Sequence, residues 1–310
     1  MKVILIGGTG LIGRALADDL ARDGHEVIIL SRRSGPAKGF RPGIRLARWD
    51  GHTAEGWGPL ADGADVIVNL AGENLSAARW TPQRKQAISD SRASAGGAVV
   101  DAVLQARKKP RVLVQSSAVG YYGPTGDESL REDAPSGDGF LAGVCRDWEA
   151  SSQPVEGMGV RRVVARTGVV LCPKSGALPR MLLPFRFFVG GPLGSGRQWM
   201  SWIHLDDQVR ALRFLMATPG AKGAFNLSAT PLTNRQFAQA AGKVMRRPAL
   251  FAVPAAIIRL LFGEMGTVVL DGQRASAKRL TDLGFKFRFP DAESALRDLL
   301  GRGAAVQQDV

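Results

Sequence analysis

The opening stretch, "MKVILIGGTGLIGRALADDL" at residues 1–20, carries an apolar run, Val3–Ile6, straight into Gly7. A short apolar run bounded by glycine is the pattern of a strand buried on both faces of a parallel sheet. Leu11, Ile12, Ala15, Leu16 and Leu20 then recur at helical spacing, and Gly24 ends that helix. Strand, turn and helix in this order predict a βα unit. Its turn, Gly7-Gly8-Thr9-Gly10-Leu11-Ile12-Gly13, is expected to cradle a dinucleotide. Gly7 turns the chain, Gly10 admits a pyrophosphate to the backbone, and Gly13 lets the helix lie close. Exposed N–H groups over Leu11–Gly13 and the positive end of the helix dipole favour phosphate there.

The same alternation continues outward. Val27–Leu30, Asp65–Leu70, Val112–Gln115 and Val163–Arg166 read as strands, and Thr81–Arg107 and Leu141–Ser151 read as helices. Ser34–Gly43 and Gly123–Gly139 are loops by composition. Strands alternating with helices predict an α/β, Rossmann-type doubly wound parallel sheet, with ligands at the carboxyl edge of the strands. Beyond Pro173 the texture changes to Pro, Gly and large apolar residues, and "TNRQFAQAAGKVM" and "PAAIIRLLFGEM" read as separate helices. The expected organisation is a nucleotide-binding domain over 1–173, a smaller C-terminal α/β substrate domain over 174–300, and a flexible tail over 301–310.

Composition narrows the function classes. The chain has 310 residues, a net charge of +13 and two cysteines, Cys145 and Cys172. Two cysteines make neither a disulfide framework nor a metal cluster, and fit a reducing, cytoplasmic setting. No signal-peptide pattern is seen, and no apolar run reaches the roughly 18 residues of a membrane span. Lys and Arg are dispersed, and the pairs Lys108-Lys109, Arg161-Arg162 and Arg246-Arg247 lack interleaved aromatics. That distribution points to an anionic small-molecule substrate rather than to nucleic acid. A homodimer is compatible with this composition.

The second strand ends in Ser31-Arg32-Arg33, where a site for NAD would carry Asp or Glu. A guanidinium there pairs with a 2′-phosphate, and Ser31 donates to it, so the expected cofactor is NADP.

Three motifs together resemble the extended short-chain dehydrogenase/reductases: the glycine loop, "NLAGE" at Asn69–Glu73, and "SSAVGYYG" at Ser116–Gly123. "RTGVVL" at Arg166–Leu171, "MLLPFRFFVGGPLGSGRQWMSWIHLDD" at Met181–Asp207 and "FNLSATPLTNRQFA" at Phe225–Ala238 are similar to one branch, the sugar-nucleotide-epimerase-like "epimerase family" proteins. The resemblance runs from Met1 to about Leu300. It implies that Leu70-Ala71-Gly72 passes close to the cofactor, that Ser31 and Arg32 hold the adenosine 2′-phosphate, and that Arg92 contacts a phosphate. It also implies an NADP-dependent oxidoreductase or epimerase acting on a small molecule, with a nucleotide sugar as the narrower candidate. The alternative is a non-catalytic NADP(H)-binding sensor or scaffold.

The chain departs from the superfamily at its chemistry. A working member uses a serine, and a tyrosine four residues before a lysine on one helical face. Ser117 stands at the expected serine position. The helix that follows, "GDGFLAGVCRDWEA", has neither tyrosine nor lysine, and Leu141 and Cys145 fall at that register. The only tyrosines are Tyr121 and Tyr122. One of them is expected to replace the missing acid, Tyr122 ahead of Tyr121, with Cys145 as a thiol candidate. His204, Asp206 and Asp207 read as structural around a helix start. Phe185, Phe187, Phe188, Trp199 and Trp202 line either a pocket or an interface.

Overall fold

The computed structural model describes residues 1–32 and 39–305. Arg33, residues 34–38 of the expected loop and residues 306–310 of the expected tail lie outside the described residues.

Two compact units interleave along the chain. The first comprises Met1–Tyr121, Gly139–Arg166 and Val209–Phe225, and the second Tyr122–Asp138, Thr167–Gln208 and residues from 226 onward. This differs from a single expected boundary at 173. A strand that joins a sheet from far along the chain leaves no mark in local composition, and Gly223–Leu227 is such a strand.

The first unit carries β1 (Lys2–Ile6), α1 (Leu11–Arg22), β2 (Glu26–Ser31), β3 (Ile44–Arg48), β4 (Val66–Asn69), α2 (Pro82–Gln105), β5 (Val112–Ala118), α3 (Phe140–Ser151) and all but the last residues of β6 (Arg161–Thr167) and β7 (Gly223–Leu227), whose ends at Thr167 and at Asn226 and Leu227 are counted with the second. They form a seven-stranded sheet in the order β3-β2-β1-β4-β5-β6-β7. The pairings from β3 to β5 are parallel, with Ile4 opposite both Ile28 and Ile67, and Ile67 opposite Leu113. The strand order reverses between β1 and β4, the place where ligands bind in such sheets. One face of the sheet, through Ile4, Ile28, Ile67 and Leu113, packs on Ala95, Val99, Ala102 and Val103 of α2. α2 starts cleanly because Thr81 accepts from the Arg84 N–H and Pro82 occupies the first turn. Small residues then bring α2 against α3: a Cβ on Gly96 would lie 1.8 Å from Ser151 Oγ. That approach sets Arg92 of α2 beside α3.

The second unit has α4 (Leu178–Arg186), α6 (Asn234–Met245), α7 (Ala255–Phe262) and α8 (Ala292–Ala305), and α5 (Leu205–Ala217) leads from it into the first. Leu178, Leu182, Phe185, Trp202, Phe237 and Leu296 share its core. Among the described residues three two-stranded sheets accompany these helices. α8 continues to Ala305, so the first half of the expected tail is helical. No helix among the described residues is long and apolar enough to cross a membrane.

Candidate functional site

The glycine loop closes on itself. The Gly10 N–H donates to the Gly7 carbonyl at 3.0 Å, and α1 starts at Gly10 with no side-chain cap and no acidic residue in its first turn. A helix N-terminus left in this state is a site for an anion. Gly7 has φ +76°, and a Cβ on it would lie 2.7 Å from the Leu70 carbonyl oxygen. A Cβ on Gly13 would lie 2.5 Å from the Gly7 carbonyl oxygen. Gly13 therefore packs the helix on the loop's own backbone. The approach to the sheet belongs to Gly8, whose Cβ would lie 2.7 Å from the Ile29 side chain. Thr9 completes the turn, and Leu11 and Ile12 open α1.

At the end of β2, Ser31 is buried, whereas the Arg32 side chain is 74% exposed. Arg32 Nη1 lies 3.6 Å from Glu73 Oε1, and the other oxygen of that carboxylate accepts from Arg84 at 3.0 Å. An exposed pair at that distance holds Arg32 weakly. Arg32 is thus a cation available to an anion at the edge of β2.

β4 delivers Leu70-Ala71-Gly72 to the same edge. The Leu70 N–H donates to the Ile6 carbonyl, and the Ala71 N–H to Asn69 Oδ1. Asn69 is itself held by Gln115 of β5. Gly72 makes room for Arg92: a Cβ there would lie 2.9 Å from the guanidinium carbon. Arg92 is 8% exposed and donates only to the carbonyls of Ile88 and Glu73, with its guanidinium 4.8 Å from the Trp148 ring centre. No carboxylate lies within ion-pair distance of it among the described residues, and burial lowers its pKa. A buried cation resting on carbonyls and a ring fits an anionic partner. Glycine loop, bare helix start, exposed Arg32 and buried Arg92 together suit a dinucleotide with its phosphates.

Beyond Arg92 the chemistry-bearing residues of the first unit form one network. Ser117 Oγ donates to Glu149 Oε1 at 2.7 Å. Arg166 grips the same carboxylate with two bonds, Nε to Oε1 at 2.8 Å and Nη2 to Oε2 at 3.0 Å. The Arg166 guanidinium also stacks on the Tyr121 ring, 3.5 Å from its centre. The side chains of Arg166 and Glu149 are 5% and 13% exposed, so this is a desolvated ion pair. Nothing in the local sequence pattern singles out Glu149. The register Leu141–Cys145 on α3, extended by one further turn, arrives at it.

Tyr122 and Cys145 stand differently from expectation. The Tyr122 hydroxyl is buried in the second unit and donates to Asn226 Oδ1 at 2.8 Å, while Asn226 Nδ2 donates to the Leu130 and Ser276 carbonyls. A phenol used this way ties three segments together. Cys145 faces Gly120, where a Cβ would lie 3.9 Å from Sγ, and burial pushes its thiol up to about 11. A raised thiol pKa means the protonated form persists well above neutrality, which removes Cys145 from acid–base exchange near pH 7. Cys145 is therefore expected to resist iodoacetamide at pH 7.5 until the protein unfolds. Stoichiometric labelling of the folded protein, read by peptide mapping, would contradict its burial.

The remaining expectations resolve into packing. His204 is buried, stacks on Phe289 at 4.0 Å, and its Nδ1 accepts from the Asp206 N–H. Asp207 accepts from the N–H groups of Arg288 and Phe289. Phe185 and Trp202 belong to the core, whereas Phe187 and Phe188 are exposed. No group of residues able to hold a metal ion occurs among the described residues.

The chain belongs to the NAD-dependent epimerase/dehydratase family, whose model matches residues 3–228. A second model, a domain of unknown function designated DUF1731, matches residues 253–299. Epimerase family protein YfhF of Bacillus subtilis is 38% identical over 304 residues, covering 97% of this chain and 98% of the relative. The chloroplastic SDR39U1 homolog of Arabidopsis thaliana is 39% identical over 309 residues, covering 97% and 87%. The crystal structure of human epimerase family protein SDR39U1 with NADPH matches at TM-score 0.88 and 33% identity, covering 97% and 99%. The resemblance carried by the loop, "NLAGE" and "SSAVGYYG" motifs is thus to the family the chain belongs to.

Proposed function

We propose that the chain binds NADP(H) and uses it for oxidoreduction or epimerisation of a small carbonyl or hydroxyl compound, with a nucleotide sugar as the narrower candidate. The observation that carries the coenzyme choice is Arg32, an exposed guanidinium at the ribose end of the loop where NAD sites carry a carboxylate. The human relative crystallised with NADPH supports the same choice. Gly7, Thr9, Gly10, Leu11, Ile12 and Gly13 would hold the diphosphate, Ser31 and Arg32 the 2′-phosphate, and Leu70, Ala71, Gly72 and Arg92 the edge next to it. Arg32→Ala is expected to weaken NADPH about ten- to a hundredfold, the worth of one charged hydrogen-bonding group, and to leave NADH nearly unchanged. Fluorescence titration with both coenzymes checks this. Equal losses for the two would remove the assignment.

When bound, the coenzyme supplies or takes up hydride at its nicotinamide. The chain's own part is proton handling. Glu149 accepts a hydrogen bond from the Ser117 hydroxyl, so the Ser117 oxygen lone pairs are left to accept from a substrate hydroxyl. Tyr121, stacked beneath Arg166, takes the acid–base role in preference to Tyr122, whose hydroxyl is spent on Asn226. Tyr121→Phe is expected to abolish consumption of NADPH with a panel of aldehydes, ketones and keto-sugars, followed at 340 nm, while NADPH affinity is kept. Full activity of the variant would exclude Tyr121. A second reading, a non-catalytic NADP(H) sensor, draws support from Leu141 and Cys145 at the Tyr-x-x-x-Lys register and from the 2% exposure of Ser117. It predicts NADPH binding with no carbonyl turned over.

A further inference from the structure

α7 reads AAIIRLLF, apolar at every position except Arg259, yet only Ile258 is buried. A helix that is apolar all round is ordinarily enclosed. Here Ile257 is 46% and Phe262 44% exposed. The segment before it adds Leu250 at 81% and Phe251 at 54%, and the end of α4 adds Phe187 at 69% and Phe188 at 53%. These residues form one surface of the second unit. The Phe251 N–H donates to the Gly190 carbonyl, Val253 N–H to the Pro192 carbonyl, and Gly194 N–H to the Val253 carbonyl. Arg247 lies over the Phe188 ring at 4.1 Å. Lone exposed apolar residues need no explanation, but a contiguous patch of this kind marks an interaction surface.

The charge around the patch selects what covers it. Residues 172–205 contain Lys174, Arg180, Arg186 and Arg197 and no Asp or Glu; residues 223–263 contain Arg235, Lys243, Arg246, Arg247 and Arg259 and again no Asp or Glu, with Lys243 neutralised by Glu293 from further along the chain. Glu264 and Asp271 follow α7, and Asp271 lies near Arg259. Arg180, Arg186 and Arg246, by contrast, have no ion-pair partner among the described residues. A second copy of the chain, docked by the same patch about a two-fold axis, would set these cations against themselves. Aromatic and branched side chains rimmed by unpaired arginines are the composition that seats a helix at an anionic lipid interface.

We propose that α7, with the Leu250–Phe251 and Phe187–Phe188 edges, is a peripheral docking surface for an anionic lipid bilayer, the apolar side chains entering the headgroup region and the arginines pairing with lipid phosphates. This gives the 253–299 region a role separate from coenzyme binding. The test is co-sedimentation of the full chain with vesicles of phosphatidylcholine alone and of phosphatidylcholine with 30% phosphatidylglycerol.

Binding to the anionic vesicles is expected, at least tenfold stronger than to the neutral ones, and lost in 0.5 M NaCl. Arg186→Glu is expected to lower partitioning by about fivefold or more, and Leu250→Glu with Phe187→Glu to abolish it. Neither change touches the core, and unaltered NADPH binding reports an intact fold. Wild-type protein that stays in the supernatant with anionic vesicles overturns the proposal. So does a concentration-dependent dimer, seen by sedimentation, that the Leu250→Glu and Phe187→Glu pair disrupts.

Discussion

Arg166→Met is expected to lower the unfolding free energy by about 3–5 kcal/mol, the usual effect of removing one member of a buried ion pair. Arg166 is held by two bonds to Glu149 and by the Tyr121 ring, and its removal leaves the Glu149 carboxylate with the Ser117 hydroxyl as its hydrogen-bond donor. A buried carboxylate without its cation must take up a proton or draw in water, and either outcome loosens the end of α3. Pairing the change with Glu149→Leu is expected to restore most of the stability, since two well-packed apolar groups can replace a buried pair at little net loss. Arg166→Lys falls between, because an ammonium cannot reproduce the two-bond grip at 2.8 and 3.0 Å. Urea denaturation of the four proteins without coenzyme gives the comparison. A loss below about 1 kcal/mol for Arg166→Met would mean the network is solvated in the way surface pairs are. The double variant also separates scaffold from chemistry: a protein that folds and binds NADPH but turns over no carbonyl assigns Glu149 and Arg166 to proton handling.

What could be read in advance divides by distance along the chain. The glycine turn was legible because strand, turn and helix are contiguous, and the structure places β1 at Lys2–Ile6 and α1 at Leu11–Arg22 accordingly. The helix expected over Thr81–Arg107 is likewise a contiguous stretch, and the structure runs α2 from Pro82 to Gln105. Glu149 was not legible from local pattern, since its partners Ser117 and Arg166 are 32 and 17 residues away. Tyr121 and Tyr122 are adjacent in the tight turn Val119–Tyr122, and nothing local says which enters the interior. The partner that decides it, Asn226, is 104 residues on. β3 leaves no clear strand pattern in the sequence because it is an edge strand, basic at Arg45 and Arg48 and largely uncovered. α7 was legible as a helix, but its periodicity carries no stripe, so its exposure could be seen only once its neighbours were placed.

Gly13→Ala is expected to weaken NADPH by about a hundredfold, equivalent to about 3 kcal/mol, which is roughly the worth of two charge-assisted hydrogen bonds. The added methyl would lie 2.5 Å from the Gly7 carbonyl oxygen and 2.6 Å from Gly8 Cα, and both are backbone atoms. Neither can rotate away as the tip of a side chain would, so α1 and the loop must separate. The separation displaces the N–H groups that meet the diphosphate, and the strain is expected to lower stability by about 1–3 kcal/mol as overpacking does. Gly97→Ala supplies the contrast. It lies in the middle of α2 with nothing within 4 Å of the added carbon. There the change is expected to stabilise by about 0.5–1 kcal/mol through helix propensity alone and to leave coenzyme affinity untouched. The two variants add the same atom to glycines at helical positions, and they differ in what that atom meets. If Gly13→Ala binds NADPH within a factor of three of the unmodified chain, the loop is a turn without a ligand, and the coenzyme site must be sought elsewhere.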